Sequence, residues 1–262
     1  MGQEQVALIA GGSKGLGKMT ALALAKMGYH IVIHYHRNIE AANDLILQIH
    51  HLGQKAVAIR GDVTDQKQVK ELFQQIEDDF GRLDILVHSV GPFIRERKTF
   101  YQMTIDEING LVQGNLMSAF YTTSLALSMM RKQRFGRIIY FGFNRANEAP
   151  AWPDRSVYTA AKVALVSFTK SLATEEAPYG ITVNMVCPGD IIGYNKERFI
   201  QEVINLKDKE SLIGRPGSGE DVTRVIQFLC QKDSEFITGN IINISGGLDI
   251  IHPTSKVSFK DK

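Results

Sequence analysis

Short, continuously apolar runs rich in β-branched residues alternate along this chain with longer segments in which apolar positions recur about every 3.6 residues. The first pattern covers Val6–Ala10, Ile31–Ile33, Ala56–Ile59, Ile85–His88, Arg137–Phe141, Ile181–Val186 and Asn240–Ile244. Runs that are apolar at nearly every position, instead of every other one, predict parallel strands covered on both faces. The second pattern covers Leu16–Met27, Ala41–Leu52, Gln66–Phe80 and Val157–Ala177, closed in turn by Gly28, Gly53, Gly81 and Pro178. Glycine just past a helix accepts the left-handed conformation that ends it, and proline cannot continue it. Seven strands with helices between them predict βαβ units: an α/β chain with a doubly wound, seven-stranded, mostly parallel sheet and helices on both faces. Residues 192–219 break the rhythm. They read as polar, helical and without a strand, an insertion beyond the carboxyl ends of the strands where such sheets bind ligands. Residues 1–252 are expected to form the single domain, and 253–262 a flexible tail.

The bulk numbers narrow the function classes. A chain of 262 residues with 44% hydrophobic and 22% charged residues can bury a core without covalent staples. A net charge of +2 is too balanced for nucleic acid or an anionic membrane as the main partner. Two cysteines, Cys187 and Cys230, lie inside apolar runs; they make neither a disulfide framework nor a zinc site. No metal site is expected, and buried thiols fit a reducing compartment. The first apolar run, Val6–Ala10, is far too short for a signal core or a membrane span, so a cytoplasmic protein is expected.

The chemistry begins with Gly11-Gly12-Ser13-Lys14-Gly15-Leu16-Gly17, which follows the first strand and opens directly into a helix. Glycines there permit the tight turn and let backbone amides approach a pyrophosphate, and the helix N-terminus faces the negative charge. In this context the sheet becomes a Rossmann-type, dinucleotide-binding one. The second strand ends in His34-Tyr35-His36-Arg37-Asn38, with no carboxylate to hold a ribose 2′-hydroxyl. Arg37 and Lys14 could hold a 2′-phosphate by charge-assisted hydrogen bonds, which points to NADPH/NADP+ over NADH. Tyr158 and Lys162 stand four apart at the start of a helical segment and so share one face. A free phenol titrates near 10 and is a poor acid at neutral pH. A nearby ammonium, joined by an oxidised nicotinamide, would lower it. Arg95, Arg97 and Lys98 form a basic cluster after the fourth strand, read as a solvated face or as a rim for an anionic substrate.

Together these features resemble the short-chain dehydrogenase/reductase family over nearly the whole chain. The resemblance implies a catalytic set of Tyr158, Lys162 and Asn115, with Asn115 positioning a water relay to the lysine. It implies a cofactor set of Gly11, Ser13, Lys14, Gly15, Leu16 and Gly17 in the loop and His36, Arg37 and Asn38 after the second strand. Asp62 and Val63 would hold the adenine, and Ser89 and Gly91 would follow the fourth strand. Tyr158 and Lys162 would flank the nicotinamide ribose, with Pro188, Gly189 and Ile191 on the nicotinamide side. Gly239, Gly246 and Gly247 match the family's C-terminal glycines. A homotetramer built on helices at Gly110–Met130 and Val157–Ala177 is also implied.

Two departures stand out. The usual Asn-Asn-Ala-Gly is His88-Ser89-Val90-Gly91 here, with Ser89 placed to brace the strand. The catalytic serine that ends the fifth strand is replaced by Phe143, and the loop from there to Tyr158 is about two residues longer than usual. A phenyl ring neither donates nor accepts a hydrogen bond of that kind. Asn144 and Ser156 are the candidates to substitute. Losing one carbonyl-polarising bond could cost roughly 2.7–4 kcal/mol.

The resemblance is strongest to bacterial 3-oxoacyl-acyl-carrier-protein reductases, which implies reduction of a 3-oxoacyl thioester. An acyl carrier protein would dock through Arg134, but the second docking position holds Tyr179. The second-strand end also resembles pteridine reductases, and Phe93, Phe143 and Trp152 could wall a substrate pocket for a flat ring, with Asn144 beside them. A third reading is a non-catalytic NADPH-binding sensor.

Overall fold

Seven parallel strands form one sheet in the order β3-β2-β1-β4-β5-β6-β7 in the computed structural model, which describes residues 4–209 and 211–247. The strands are β1 Val6–Ala10, β2 His30–Tyr35, β3 Ala56–Arg60, β4 Ile85–His88, β5 Gly136–Phe141, β6 Ile181–Pro188 and β7 Ile241–Ile244. Every recorded pairing is parallel, so "mostly parallel" sharpens to parallel throughout the described residues. The order reverses between β1 and β4, and the crevice for a ligand therefore lies at their carboxyl ends.

Alternate side chains on the strands enter two separate cores, as a pleated strand requires. Leu8, Leu86, Ile138 and Tyr140 pack on one face against α3 (Gln66–Phe80), α5 (Ser118–Gln133) and α6 (Ser156–Glu176). Ile9, Ile33, Val87 and Ile139 pack on the other against α1 (Gly15–Lys26), α2 (Ile39–His51) and α8 (Gly219–Cys230). Both faces being dry explains the continuously apolar runs.

Two expectations change, and one helix is added. The helix at Gly110–Met130 is instead α4 (Ile105–Val112), a π-turn at Gln113–Met117, and then α5. The Asn115 amide donates to the Leu111 carbonyl at 3.0 Å and to the Pro92 carbonyl at 2.9 Å, and this competition with the backbone ladder accompanies the extra residue. The segment 192–219 is mostly irregular: a 3-10 turn at Gly193–Glu197 and one turn of helix, α7 (Ile200–Val203), are its regular parts. Helix α8 has no counterpart in the sequence reading, although Ser218 and Asp221 form a capping box at its start. The expected tail, 253–262, lies outside the described residues. No helix among the described residues is long and apolar enough to cross a membrane.

Candidate active site

A cavity of about 430 Å³ opens along the carboxyl edge of the sheet. The glycine loop, Ser89 and Gly91 bound one end; Phe143, Trp152, Tyr158 and Lys162 bound the other; Pro188, Gly189 and Ile191 close a side. Residues scattered over the whole sequence thus meet at one switch point because their strands end side by side.

The glycine loop is shaped by close approach. A Cβ on Gly17 would overlap the Gly11 carbonyl and lie 2.9 Å from the Ser89 hydroxyl oxygen. Gly11 and Gly15 have φ of +79° and +59°, the left-handed region that favours glycine. Ser89 donates to the Ala10 carbonyl at 2.8 Å, tying the end of β4 to the end of β1. His34 does the same from β2: the Gly11 amide donates to its Nδ1 at 3.2 Å, and its Nε2 lies 3.0 Å from the Gly61 carbonyl. That pair of partners requires the neutral ring protonated at Nε2, and burial holds its pKa below the ordinary histidine value. His34 was visible as the end of a strand, but nothing local marked it as a brace.

The residues after β2 and β3 are less uniform than expected. Arg37 and Lys14 are exposed, and Lys14 lines the cavity. His36 lies 3.9 Å from Asp62. Burial pushes the Asp62 carboxyl upward, but hydrogen bonds from the Thr64 hydroxyl and amide outweigh it and hold its pKa below the usual range. Asn38 spends its side chain on the N-cap of α2, accepting from Ala41 at 2.7 Å. The Val63 side chain is buried in the core, so this residue can face a ligand only through its backbone.

At the far end, Lys162 is buried and donates to the Phe141 carbonyl at 2.8 Å. Burial lowers its pKa to about 8. Burial also raises the Tyr158 phenol above its ordinary value. Lys162 offsets none of this rise in the protein alone, because its ammonium is turned to the Phe141 carbonyl. The Tyr158 hydroxyl makes no hydrogen bond among the described residues. Asn115 is fully buried, and its Oδ1 has no hydrogen-bond partner. A Cβ on Gly91 would lie 2.7 Å from that oxygen and 3.1 Å from Lys162 Nζ. An unpaired buried acceptor beside an ammonium, facing a glycine-lined wall, fits a site that takes a polar ligand.

Aromatic rings enclose Tyr158. The Phe93 centroid is 5.0 Å away and edge-on, Phe143 is 6.1 Å away and Trp152 6.3 Å. Phe143 is itself buried and packs on Trp152 at 5.3 Å. Neither candidate for the missing serine's work lines this cavity. Asn144 is buried and is not among the residues that bound it. Ser156 stands two positions from Tyr158, about 200° around the helix, and lines a separate apolar groove with Phe100 and Leu116. Arg134 precedes β5 at the opposite edge of the sheet, where it donates to the Pro178 carbonyl at 2.9 Å, and Tyr179 lies under the Arg131 guanidinium. The basic cluster is largely neutralised: Lys98 pairs with Glu107 at 2.6 Å and Arg97 with Asp154 at 3.5 Å. The described residues hold no group of three or more side chains suited to a metal.

Sequence reasoning also missed Glu197. Its carboxylate accepts from the Gly15 amide at 2.7 Å and from Lys18 Nζ at 2.9 Å. Burial pushes this carboxyl up, but those two donors outweigh it and keep its pKa below the usual value.

A glycine-bound helix terminus and a tyrosine–lysine pair sharing one cavity define a dinucleotide-dependent oxidoreductase. The chain belongs to the short-chain dehydrogenase/reductase family: residues 10–249 match the family model described as Enoyl-(Acyl carrier protein) reductase. It is 42% identical over 247 residues to YtkK of Bacillus subtilis (strain 168), named as an oxidoreductase without a substrate, covering 94% of this chain and 97% of that one. It is 33% identical over 250 residues to a 3-oxoacyl-[acyl-carrier-protein] reductase of Synechocystis sp., covering 93% and 96%. A solved Bacillus thuringiensis structure described as a 3-oxoacyl-reductase superposes with a TM-score of 0.88 at 42% identity, covering 95% of this chain and 100% of that one.

Proposed function

We propose that this chain is an NADPH-dependent reductase of a carbonyl compound, with a 3-oxoacyl thioester as the substrate class. The observation that carries the proposal is the single cavity that holds the glycine loop at one end and the unbonded Tyr158 hydroxyl at the other. A bound nicotinamide would supply the hydride. The α1 N-terminus, with Gly15, Leu16 and Gly17, would hold the pyrophosphate. Lys14 and Arg37 would hold the 2′-phosphate. Lys162 would reach the nicotinamide ribose, and Asn115 Oδ1 would accept from a water leading to Lys162. Tyr158 would give its proton to the substrate oxygen as charge develops there.

Phe143 leaves that oxygen with one side-chain donor. The rings of Phe93, Phe143 and Trp152 would instead exclude water and press an apolar or flat substrate against Tyr158. Those three rings also favour the second reading, a dihydropterin. The groove beside α6 at Phe100, Leu116 and Val157 would be covered in a homotetramer.

The deciding experiment follows absorbance of NADPH with a 3-oxoacyl thioester and a dihydropterin offered in parallel, with Tyr158→Phe as control. Consumption with the thioester, lost in the variant, supports the proposal. Consumption with the dihydropterin alone moves the assignment to that class. Tight NADPH binding without consumption of either leaves the protein as a sensor.

A further inference from the structure

The Gly15 amide is the first of α1, one of the donors that a helix cannot satisfy from within. In this structure it is taken by Glu197, a residue 182 positions away in sequence, through Oε1 at 2.7 Å, while Oε2 receives Lys18 at 2.9 Å. The turn that carries Glu197 is gripped from its other side by the start of α8. The Lys196 carbonyl packs against Gly219 so closely that a Cβ there would overlap it. The Glu220 amide donates to the Arg198 carbonyl at 3.3 Å, and the Glu220 carboxylate accepts from Ile200 at 2.6 Å. The Lys196 side chain runs past Gly15, within 3.8 Å of where a Cβ would stand, and lines the same cavity as Tyr158. Residues 193–199 therefore form a strap from α8 to the N-terminus of α1, ending in an anion on the amide that a helix terminus offers to phosphate.

We propose that Glu197 is a latch that competes with the cofactor pyrophosphate for the α1 N-terminus, so that dinucleotide entry and release of the strap are one event. The proposal rests on the dinucleotide site assigned above. Two anions cannot share one amide and one turn of helix dipole. The carboxylate satisfies the Gly15 amide and Lys18 while the cofactor is away and must leave when it arrives. Apparent cofactor affinity then falls below the intrinsic value by the fraction of molecules with the strap open.

The test measures NADPH and NADH dissociation constants by titration calorimetry for the wild type, Glu197→Gln and Glu197→Ala. It adds hydrogen exchange of residues 193–199 and 11–17 with and without NADPH. Glu197→Ala is expected to bind NADPH on the order of ten-fold more tightly than the wild type, with Glu197→Gln between them. NADPH should speed exchange in 193–199 of the wild type while slowing it in 11–17. Affinity that is unchanged or weaker in both variants overturns the proposal, and so does tighter binding with no change of exchange in 193–199, which would be charge repulsion without release. If neither dinucleotide binds any of the three proteins, the dinucleotide reading fails first and the latch with it.

Discussion

Lys162 Nζ donates to the Phe141 carbonyl at 2.8 Å, at the last residue of β5, and makes no hydrogen bond with the Tyr158 hydroxyl one helical turn away. The lysine is thereby fixed at the end of the strand that leads into Phe143, and the phenol is left open to the cavity. Burial works against both charged forms, lowering Lys162 to about 8 and raising Tyr158. The protein presents a protonated tyrosine, which is the form a proton donor needs.

Removing that proton tests the role directly. Tyr158→Phe should lower kcat by about 10²–10⁴-fold, the usual range for losing a general acid. The NADPH dissociation constant should move by less than about three-fold, because the hydroxyl makes no contact that organises the glycine loop. Single-turnover kinetics and a binding titration on one preparation separate the two; equal turnover in variant and wild type would remove Tyr158 from the chemistry.

Phe143 makes opposing demands on stability and rate. It is buried against Trp152 and Tyr158. Phe143→Ser should cost about 3–5 kcal/mol in packing, a fall in Tm of about 10 °C for a chain of this size. The same change places a hydroxyl beside the substrate oxygen, and kcat for a 3-oxoacyl thioester at about 15 °C should rise about ten-fold. A thermal melt and an initial-rate series decide. A melt that falls while the rate stays flat would mean that the longer loop has moved this position out of reach of the substrate oxygen.

Cofactor choice should turn on the exposed end of β2. Arg37 is exposed and makes no ion pair among the described residues, and residues 34–38 themselves carry no carboxylate. Arg37→Asp should weaken NADPH by about 10–100-fold, the worth of a charge-assisted hydrogen bond, and strengthen NADH. Calorimetry with both cofactors reads the ratio; an unchanged ratio would place the 2′-phosphate elsewhere.

The strands were legible because a sheet covered on both faces leaves no polar register to misread; Leu8 and Ile9 enter opposite cores yet look alike in sequence. The motifs were legible because Gly17, Gly91, Tyr158 and Lys162 are dictated by close approach or by spacing on one helix. What escaped was long-range or subtle. Glu197 reaches Gly15 from across the chain, with no local pattern to announce it. The π-turn at Asn115 keeps an apolar periodicity that reads as unbroken helix. Helix α8 did carry a signal, the Ser218–Asp221 capping box ahead of Val222, Ile226 and Leu229, hidden by its position beside an irregular segment.

The other departure, His88, should make the fold sensitive to acid. His88 lies at the end of β4, buried, with Nε2 3.0 Å from the Ser118 hydroxyl and Nδ1 3.2 Å from that of Thr122. Ser118 in turn donates to the Gly114 carbonyl at 2.7 Å, so the histidine anchors the turn that carries Asn115. Burial first, and the nearby Lys162 second, lower its pKa from 6.5 to about 3. The sign follows from proton counting. Below about 6.5 the unfolded chain binds a proton that the native chain refuses, so stability falls as pH falls, until about 3 where the native ring also protonates. At about pH 4.5 the penalty should reach on the order of 2–3 kcal/mol. His88→Asn keeps a polar side chain that does not titrate. It should be the less stable protein at about pH 7, by about 1 kcal/mol for imperfect hydrogen bonds, and the more stable one at about pH 4.5. His34 shifts in the same direction in both proteins, and its repulsion of a charged His88 is the third and smallest cause of the His88 shift. Urea unfolding of the pair at about pH 7, 5.5 and 4.5 gives the answer. Crossing curves mean that the anchor of the Asn115 turn is the neutral imidazole, whereas parallel curves mean that the ring takes up its proton inside the fold at little cost.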